Sequence, residues 1–84
     1  MITIIYFARL KEALGLTSEQ LLLPDGVTTV EGLRTLLMQR GGVWEKELGP
    51  LRSFRAAVNQ CLAQGHTGVK AGDEVAFFPP VTGG

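Results

Sequence analysis

The last six residues of the chain point most directly to chemistry: Pro79, Pro80, Val81, Thr82, Gly83 and Gly84. Two successive prolines favour a stiff, extended path away from a folded body. The two glycines carry no side chains, so their backbone can enter a channel too narrow for other residues. The four residues after the prolines would reach roughly 13 Å, at about 3.3 Å per residue. We therefore predict a thin arm that inserts into a partner and ends in the α-carboxylate of Gly84.

The carboxylate of Gly84 is the candidate reacting group. A carboxylate is a poor electrophile, because its oxygen leaves badly, and adenylation by ATP would convert it into a mixed anhydride. A sulfur donor that displaces AMP would then leave a thiocarboxylate, whereas an attacking amine would leave an isopeptide bond. The residues by themselves leave both outcomes open.

Three other residues are weaker candidates for chemistry or docking. Cys61 is the single cysteine, which excludes an internal disulfide, and no neighbouring residue provides the cation that a reactive thiol needs. His66 is the single histidine and lies in a glycine-rich loop without patterned partners, so no metal site or catalytic triad is expected. Lys11 is expected on a solvated helix face, where its charge could also guide docking.

The balance of charges excludes several classes of partner. Lys and Arg total eight, as do Asp and Glu, so the formal net charge is zero. A nucleic-acid or anionic-membrane binder needs an excess of basic residues, so neither ligand is expected. No apolar segment is long enough to span a bilayer, and the N-terminus lacks a signal-peptide pattern, so we expect a cytoplasmic protein. A length of 84 residues predicts one small domain.

Hydrophobic periodicity and turn residues predict strands and helices in one α+β domain. The strands are predicted at 2–7, 18–23, 54–58, 61–63 and 73–78, and helices at 8–14, from after Thr28 to Gly41, and at 43–48. Thr28 and Glu31 match a capping box, in which Thr28 caps the main helix and Glu31 reaches back. We predict a folded domain at 1–78 and an extended tail at 79–84.

The first and last strands are the most apolar, which is typical of strands at the centre of a sheet. Two central strands from opposite ends of the chain, with one main helix across one face, describe a ubiquitin-like β-grasp with a mixed sheet.

The main helix can cover only one face of this sheet, so the alternating side chains divide into an inner and an outer set. The sets that contain Thr3 and Glu74 are predicted to face outward, which leaves Ile5, Phe7 and Phe78 near one exposed face beside the tail. An apolar patch on a small protein usually marks a binding surface. The alternative is that Phe7 and Phe78 belong to the core.

Three stretches of the chain resemble one known family. Residues 73–84, DEVAFFPPVTGG, are similar to the C-terminus of the small subunit of molybdopterin synthase, the MoaD family of sulfur carriers. Residues 4–12, IIYFARLKE, are similar to that family's first strand and helix, and residues 56–60, AAVNQ, to its middle strand and turn. The region 16–55 carries little of the family signature, and the loop 64–68 matches no role.

This resemblance implies a β-grasp fold and a cycle of sulfur transfer. An adenylyltransferase similar to ubiquitin-activating enzymes would use ATP to adenylate Gly84, and a sulfur donor protein would supply the sulfur of a thiocarboxylate. The tail would then enter the large subunit, in a heterotetramer of two small and two large subunits, and pass sulfur to cyclic pyranopterin monophosphate. The catalytic side chains are expected on the large subunit, and this chain is expected to bind no cofactor. The family's partner contacts match Phe7 and Phe78.

The sequence is also compatible with three other functions. A carrier for thiamin thiazole or another thiolation route would share the fold and the terminal glycines. A ubiquitin-like modifier would link Gly84 to lysines of other proteins. An interaction module would carry its terminal glycines incidentally.

Overall fold

Five strands form one mixed sheet in the computed structural model, which describes residues 1–49 and 55–79. The strands are β1 (Ile2–Tyr6), β2 (Ser18–Leu21), β3 (Arg55–Val58), β4 (Cys61–Ala63) and β5 (Glu74–Phe78), in the spatial order β2-β1-β5-β3-β4. β1 and β5 are parallel neighbours, whereas the other pairs are antiparallel. The first and last strands therefore lie together at the centre, as the sequence predicts.

The helices are α1 (Ala8–Leu14), α2 (Val30–Met38) and α3 (Val43–Leu48). α1 ends at Gly15, whose left-handed φ of 72° suits a residue without a Cβ atom. α2 is the main helix and buries one apolar stripe against the sheet. A mixed sheet with parallel central strands and one main helix on one face is the β-grasp arrangement. No helix within residues 1–49 and 55–79 combines the length and the apolar character needed to cross a membrane.

The core lies between the helices and the inner side of the sheet. Alternate residues of the two central strands are fully buried, and they meet leucine and valine side chains from α2 and α3. Burial of each large apolar side chain contributes about 1.5–3 kcal/mol to the fold. Among the described residues, the apolar and aromatic side chains with no exposed surface are Ile2, Ile4, Tyr6, Leu33, Leu37, Leu48, Val75 and Phe77.

The start of α2 differs from the predicted capping box. The N-cap is Thr29, whose Oγ1 accepts a hydrogen bond from the backbone N–H of Gly32 at 3.1 Å. The carbonyl of Thr28 instead accepts from the backbone N–H of Val69 at 2.9 Å. Glu31 pairs with an arginine one turn along the helix. The prediction of Thr28 as the cap was wrong, because a distant segment holds this residue outside the helix.

The loop 64–68, which matched no role in the sequence, closes the same helix end. The backbone N–H groups of Val30 and Glu31 donate to the carbonyls of Thr67 and Gly65 at 2.9 and 2.8 Å. The first N–H groups of a helix have no partners within the helix, so this loop supplies acceptors that the helix lacks.

A polar and aromatic cluster ties β1 and β2 to the segment between α2 and α3. The Tyr6 hydroxyl donates to Glu19 at 3.1 Å, and the Arg40 guanidinium donates to both oxygens of Glu19 at 2.6 and 2.9 Å. Arg40 also lies 4.4 Å from the ring centroid of Trp44, which packs edge-on against Tyr6. The hydrogen bond from Arg40 lowers the pKa of Glu19. Burial and then the charge of Glu19 raise the pKa of Tyr6.

The lowered pKa of Glu19 predicts how stability depends on pH. Its ionised form stabilises the fold at pH values above the unfolded-state pKa of about 4.3, and this contribution is lost as pH falls through the lower folded-state pKa. We expect Glu19→Gln to lower the free energy of unfolding at pH 7 by about 1 kcal/mol, since Arg40 is partly exposed. Urea unfolding at a series of pH values should also show a shallower acid limb.

The matched control for this variant is Glu12→Gln, at an exposed position of α1. The control should leave both the free energy of unfolding and its pH dependence close to those of the wild type. An acid limb of unchanged slope in Glu19→Gln would contradict the role given to this cluster.

Candidate functional site

The face of the sheet opposite α2 carries a row of apolar side chains. The strand register aligns Ile5 of β1, Ala76 of β5, Ala57 of β3 and Leu62 of β4 side by side. Strand side chains alternate, so these four lie on the outer face, opposite the buried set. Ile5 and the two alanines are half-buried, and Leu62 is 76% exposed.

Two phenylalanines extend this row towards the carboxyl ends of the central strands. Phe78 is the last residue of β5 and is half-buried. Phe7 follows β1 directly, and its backbone N–H donates to the carbonyl of Phe77 at 3.1 Å. Its side chain is 48% exposed, so Phe7 is not a core residue. We define the apolar face as Ile5, Phe7, Ala57, Leu62, Ala76 and Phe78.

The surface shape of the apolar face depends on the sizes of its side chains. Ala57 and Ala76 occupy the centre of the row, between the larger Ile5 and Leu62. Small side chains between large ones let an apolar side chain of a partner approach the sheet closely. A contiguous exposed apolar patch on a small protein marks a site of interaction.

Pro79, the first residue of the predicted tail, lies at the edge of this face. Pro79 follows Phe78 directly and is half-buried, and it lacks the N–H that would continue the strand ladder. The predicted tail residues Pro80, Val81, Thr82, Gly83 and Gly84 lie outside the described residues. Their insertion into a partner, and the tail boundary at residue 79, stay predictions.

Two basic residues lie at the same end of the sheet. Lys11 is exposed on α1, and its backbone N–H donates to the carbonyl of Phe7 at 3.4 Å. Arg55 is exposed and aligns with Phe78 in the strand register. No ion pair joins either cation to another residue within 1–49 or 55–79. Cations at the rim of an apolar surface steer a partner of opposite charge.

The two residues considered for other chemistry lie away from the apolar face. Cys61 is an exposed free thiol at the start of β4, opposite Val58 in the register and thus on the other side of the sheet from Leu62. His66 is exposed in the loop 64–68. The described part of the chain contains no group of three His, Cys, Asp or Glu side chains placed to hold a metal ion.

Leu62 is the large member of the apolar face that the sequence argument missed. Residues 59–60 form a two-residue turn in which both φ angles are positive, at 50° and 71°. Such a turn sets the hairpin register, so Val58 lies opposite Cys61 and Ala57 opposite Leu62. Alternation carried through this turn would have placed Leu62 on the outer face.

Comparison with known proteins assigns the chain to a family. A family model described as "ThiS family" matches residues 4–84, which is nearly the whole chain. The chain belongs to the ThiS family. This assignment agrees with the β-grasp arrangement and with the resemblance that its C-terminal residues carry.

One curated relative of this ThiS-family chain is similar over its full length. It is the molybdopterin synthase sulfur carrier subunit of Haemophilus influenzae, which is 40% identical over 84 residues and is covered completely, as is this chain.

Two solved structures of related proteins are also similar to this ThiS-family chain. SAMP1 from Haloferax volcanii is 29% identical with a TM-score of 0.76, covering 99% of this chain and 98% of that one. Another, a protein–protein complex of subunits 1 and 2 of molybdopterin-converting factor from Helicobacter pylori, is 25% identical with a TM-score of 0.65. That match covers 99% of this chain and 97% of the other. The fold is therefore that of ubiquitin-like β-grasp sulfur carriers.

The opposite placement of two adjacent phenylalanines predicts different costs of truncation. Phe77 has no exposed surface, so Phe77→Ala should lower the free energy of unfolding by about 3–5 kcal/mol. Phe78 is half-buried on the outer face, so Phe78→Ala should cost about 1–2 kcal/mol. Chemical denaturation of both variants measures the difference, and equal costs would show that Phe78 is a core residue.

Proposed function

We propose that this protein is the sulfur-carrier subunit of a molybdopterin synthase, with Gly84 as the residue that carries sulfur. The relative from Haemophilus influenzae has that name and matches over the full length of both chains. A solved neighbour is a complex of the two subunits of molybdopterin-converting factor. Both findings support a carrier that acts together with a large subunit.

The observation that carries the proposal is the position of Pro79, the first residue of the predicted tail, next to the apolar face. Phe78 belongs to that face, and Pro79 follows it as the first residue of the predicted tail. A partner that binds the apolar face would therefore receive the tail at the edge of the same contact. Docking and delivery of the reactive end become one event, which is the arrangement that a carrier needs.

The proposed chemistry acts on the α-carboxylate of Gly84. An adenylyltransferase similar to ubiquitin-activating enzymes transfers AMP from ATP to this carboxylate and releases pyrophosphate. A sulfur donor protein supplies the sulfur that displaces AMP, which leaves a thiocarboxylate. In the large subunit, this sulfur passes to cyclic pyranopterin monophosphate, on the way to the dithiolene of molybdopterin. Water then breaks the bond between the transferred sulfur and the carbonyl carbon of Gly84 and supplies the oxygen, so that the carrier is released as the carboxylate for another cycle.

The two subunits have different roles in sulfur transfer. This chain supplies the docking face and the loaded tail, and the large subunit supplies the catalytic side chains. This chain binds no cofactor itself, since ATP is consumed by the activating enzyme. We propose a heterotetramer of two large and two small subunits, in which each large subunit receives one tail.

A second candidate function uses the same activated carboxylate. SAMP1 from Haloferax volcanii, which is similar in fold with a TM-score of 0.76, is a small archaeal modifier protein. This similarity favours a protein modifier as the second candidate. In a modifier, a lysine amine attacks the activated Gly84, and the product is an isopeptide bond instead of a thiocarboxylate. Intact mass distinguishes the two, because a conjugate gains the mass of its target.

The state of Gly84 can be measured directly. When the chain is produced with its activating enzyme and sulfur donor, intact-mass spectrometry should show the mass increase that replaces one oxygen by one sulfur. Deletion of Gly84, or addition of one alanine after it, should abolish both this increase and sulfur transfer while thermal unfolding stays unchanged. One alanine added before Met1 is the matched control and should load normally. Sulfur loading in the chain without Gly84 would refute the proposal.

The docking role of the apolar face can be tested with two leucines of equal exposure. Leu62 is 76% exposed on the apolar face, and Leu22 is 77% exposed just after β2. We expect Leu62→Ala to weaken binding of the large subunit by about tenfold or more, and Leu22→Ala to leave it unchanged. Both variants should alter the free energy of unfolding by less than about 0.5 kcal/mol. Equal binding by the two variants, measured by calorimetry, would place the docking surface elsewhere.

A further inference from the structure

Ala8 adopts a backbone conformation that alanine normally avoids. Its φ is +51°, in the left-handed region, although it is the first residue of α1. The other non-glycine residues with positive φ within 1–49 and 55–79 are Asn59 and Gln60, which form a hairpin turn that requires such angles. For an L-residue this conformation brings Cβ close to the following carbonyl oxygen, so something must impose it on Ala8.

The backbone of Phe7 is held on both sides of this corner. Its N–H donates to the carbonyl of Phe77 at 3.1 Å, which continues the pairing of β1 with β5. Its carbonyl accepts from the N–H of Leu10 at 3.1 Å, at the start of α1. Leu10 is only 3% exposed and belongs to the core. Two residues, Ala8 and Arg9, must therefore turn the chain from the sheet into the helix, and Ala8 takes the unfavourable angle.

The turn at Ala8 lets Phe7 keep the side-chain orientation that β1 gives it. Phe7 keeps an extended conformation, with φ of −118° and ψ of 154°, so it continues the alternation of β1 onto the outer face. Tyr6, directly before it, and Leu10, three residues after it, are buried, whereas Phe7 is 48% exposed. A large apolar ring is thus presented outward from a backbone that is hydrogen-bonded on both sides.

We propose that Ala8 is a positioning residue: its left-handed conformation turns the chain into α1 while Phe7 keeps its strand orientation on the apolar face for docking. This inference rests on the proposed function, since it assumes that the apolar face binds the large subunit. Ala8 acts through Phe7 and need not touch the partner.

The proposal reverses the usual effects of substitution at the start of a helix. Proline is ordinarily favoured at the first helical position, and glycine usually destabilises a helix relative to alanine. At Ala8, glycine accepts the positive φ without strain, whereas the proline ring forces φ to about −65° and breaks the corner. The preference that proline places on its preceding residue is for extended backbone, which Phe7 already has.

The first measurement is of stability in the free protein. We expect Ala8→Gly to raise the unfolding midpoint in urea, with an unfolding equilibrium constant about threefold smaller than that of the wild type. The matched control is Ala13→Gly, the same substitution within α1, and it should make the unfolding constant larger by a similar factor. Destabilisation by both glycines would show that Ala8 has an ordinary helical conformation and would overturn the proposal.

The second measurement separates positioning from a purely structural effect. Binding of the large subunit by calorimetry should weaken about tenfold or more in Ala8→Pro and stay within about twofold of the wild type in Ala8→Gly. In a Phe7→Ala background, Ala8→Pro should cost less than about twofold, because the ring that it displaces is already absent. Equal losses in both backgrounds would mean that Ala8 does not act through Phe7.

A replacement variant and the binding of the wild type distinguish failure to fold, failure of the proposed function and failure of the positioning role. If Ala8→Pro does not fold, Ala8→Val takes its place, since a β-branched residue tolerates positive φ poorly but leaves the N–H in place. If the wild-type chain does not bind the large subunit, the proposed function and the positioning role both fail. If the wild type binds, but Ala8→Pro weakens binding equally in the wild-type and Phe7→Ala backgrounds, the positioning role alone fails.

Discussion

The parallel pairing of β1 and β5 is the constraint on which the rest of the structure depends. Hydrogen bonds from Thr3 to Asp73 at 3.0 Å and from Phe7 to Phe77 at 3.1 Å mark the two ends of this pair. In a parallel pair both strands end at the same edge of the sheet, so exposed Phe7 lies beside the start of the tail. An antiparallel pair would separate them by the length of a strand, about 17 Å for five residues.

The two faces of this sheet have different roles: the inner face packs the core, and the outer face is available for binding. The inner face meets α2 and α3, and the cluster of Tyr6, Glu19, Arg40 and Trp44 joins the strands to the helices. At the other end of β5, the Asn59 side chain donates to Asp73 at 3.0 Å, and that bond lowers the pKa of the aspartate. Stability is therefore concentrated on one side, and the outer face can carry alanines and exposed apolar side chains for binding.

Much of the fold and part of the candidate site could be predicted because they depend on local patterns. Apolar runs and turn residues located the strands and helices to within a few residues. Alternation along two strands separated Phe7 from Tyr6. The predictions failed where a distant segment decides the outcome: Thr28 is held by Val69, which lies in the loop before β5, so the cap moved to Thr29. Leu62 was missed for a different reason: its face depends on the register of the hairpin, and the alternation of β3 was not carried through the turn at 59–60.

By itself, the sequence determined the character of the protein. Its apolar first and last strands predict a β-grasp, because periodicity is a property of the chain alone, and its resemblance to the MoaD family implies a sulfur carrier. Only the tertiary structure decided which side chains share a surface. The register placed Leu62 and two alanines in one row with Ile5, and the corner at Ala8 lets α1 begin while Phe7 keeps its strand orientation. These outcomes depend on hydrogen bonds between residues far apart in sequence, which no local pattern contains.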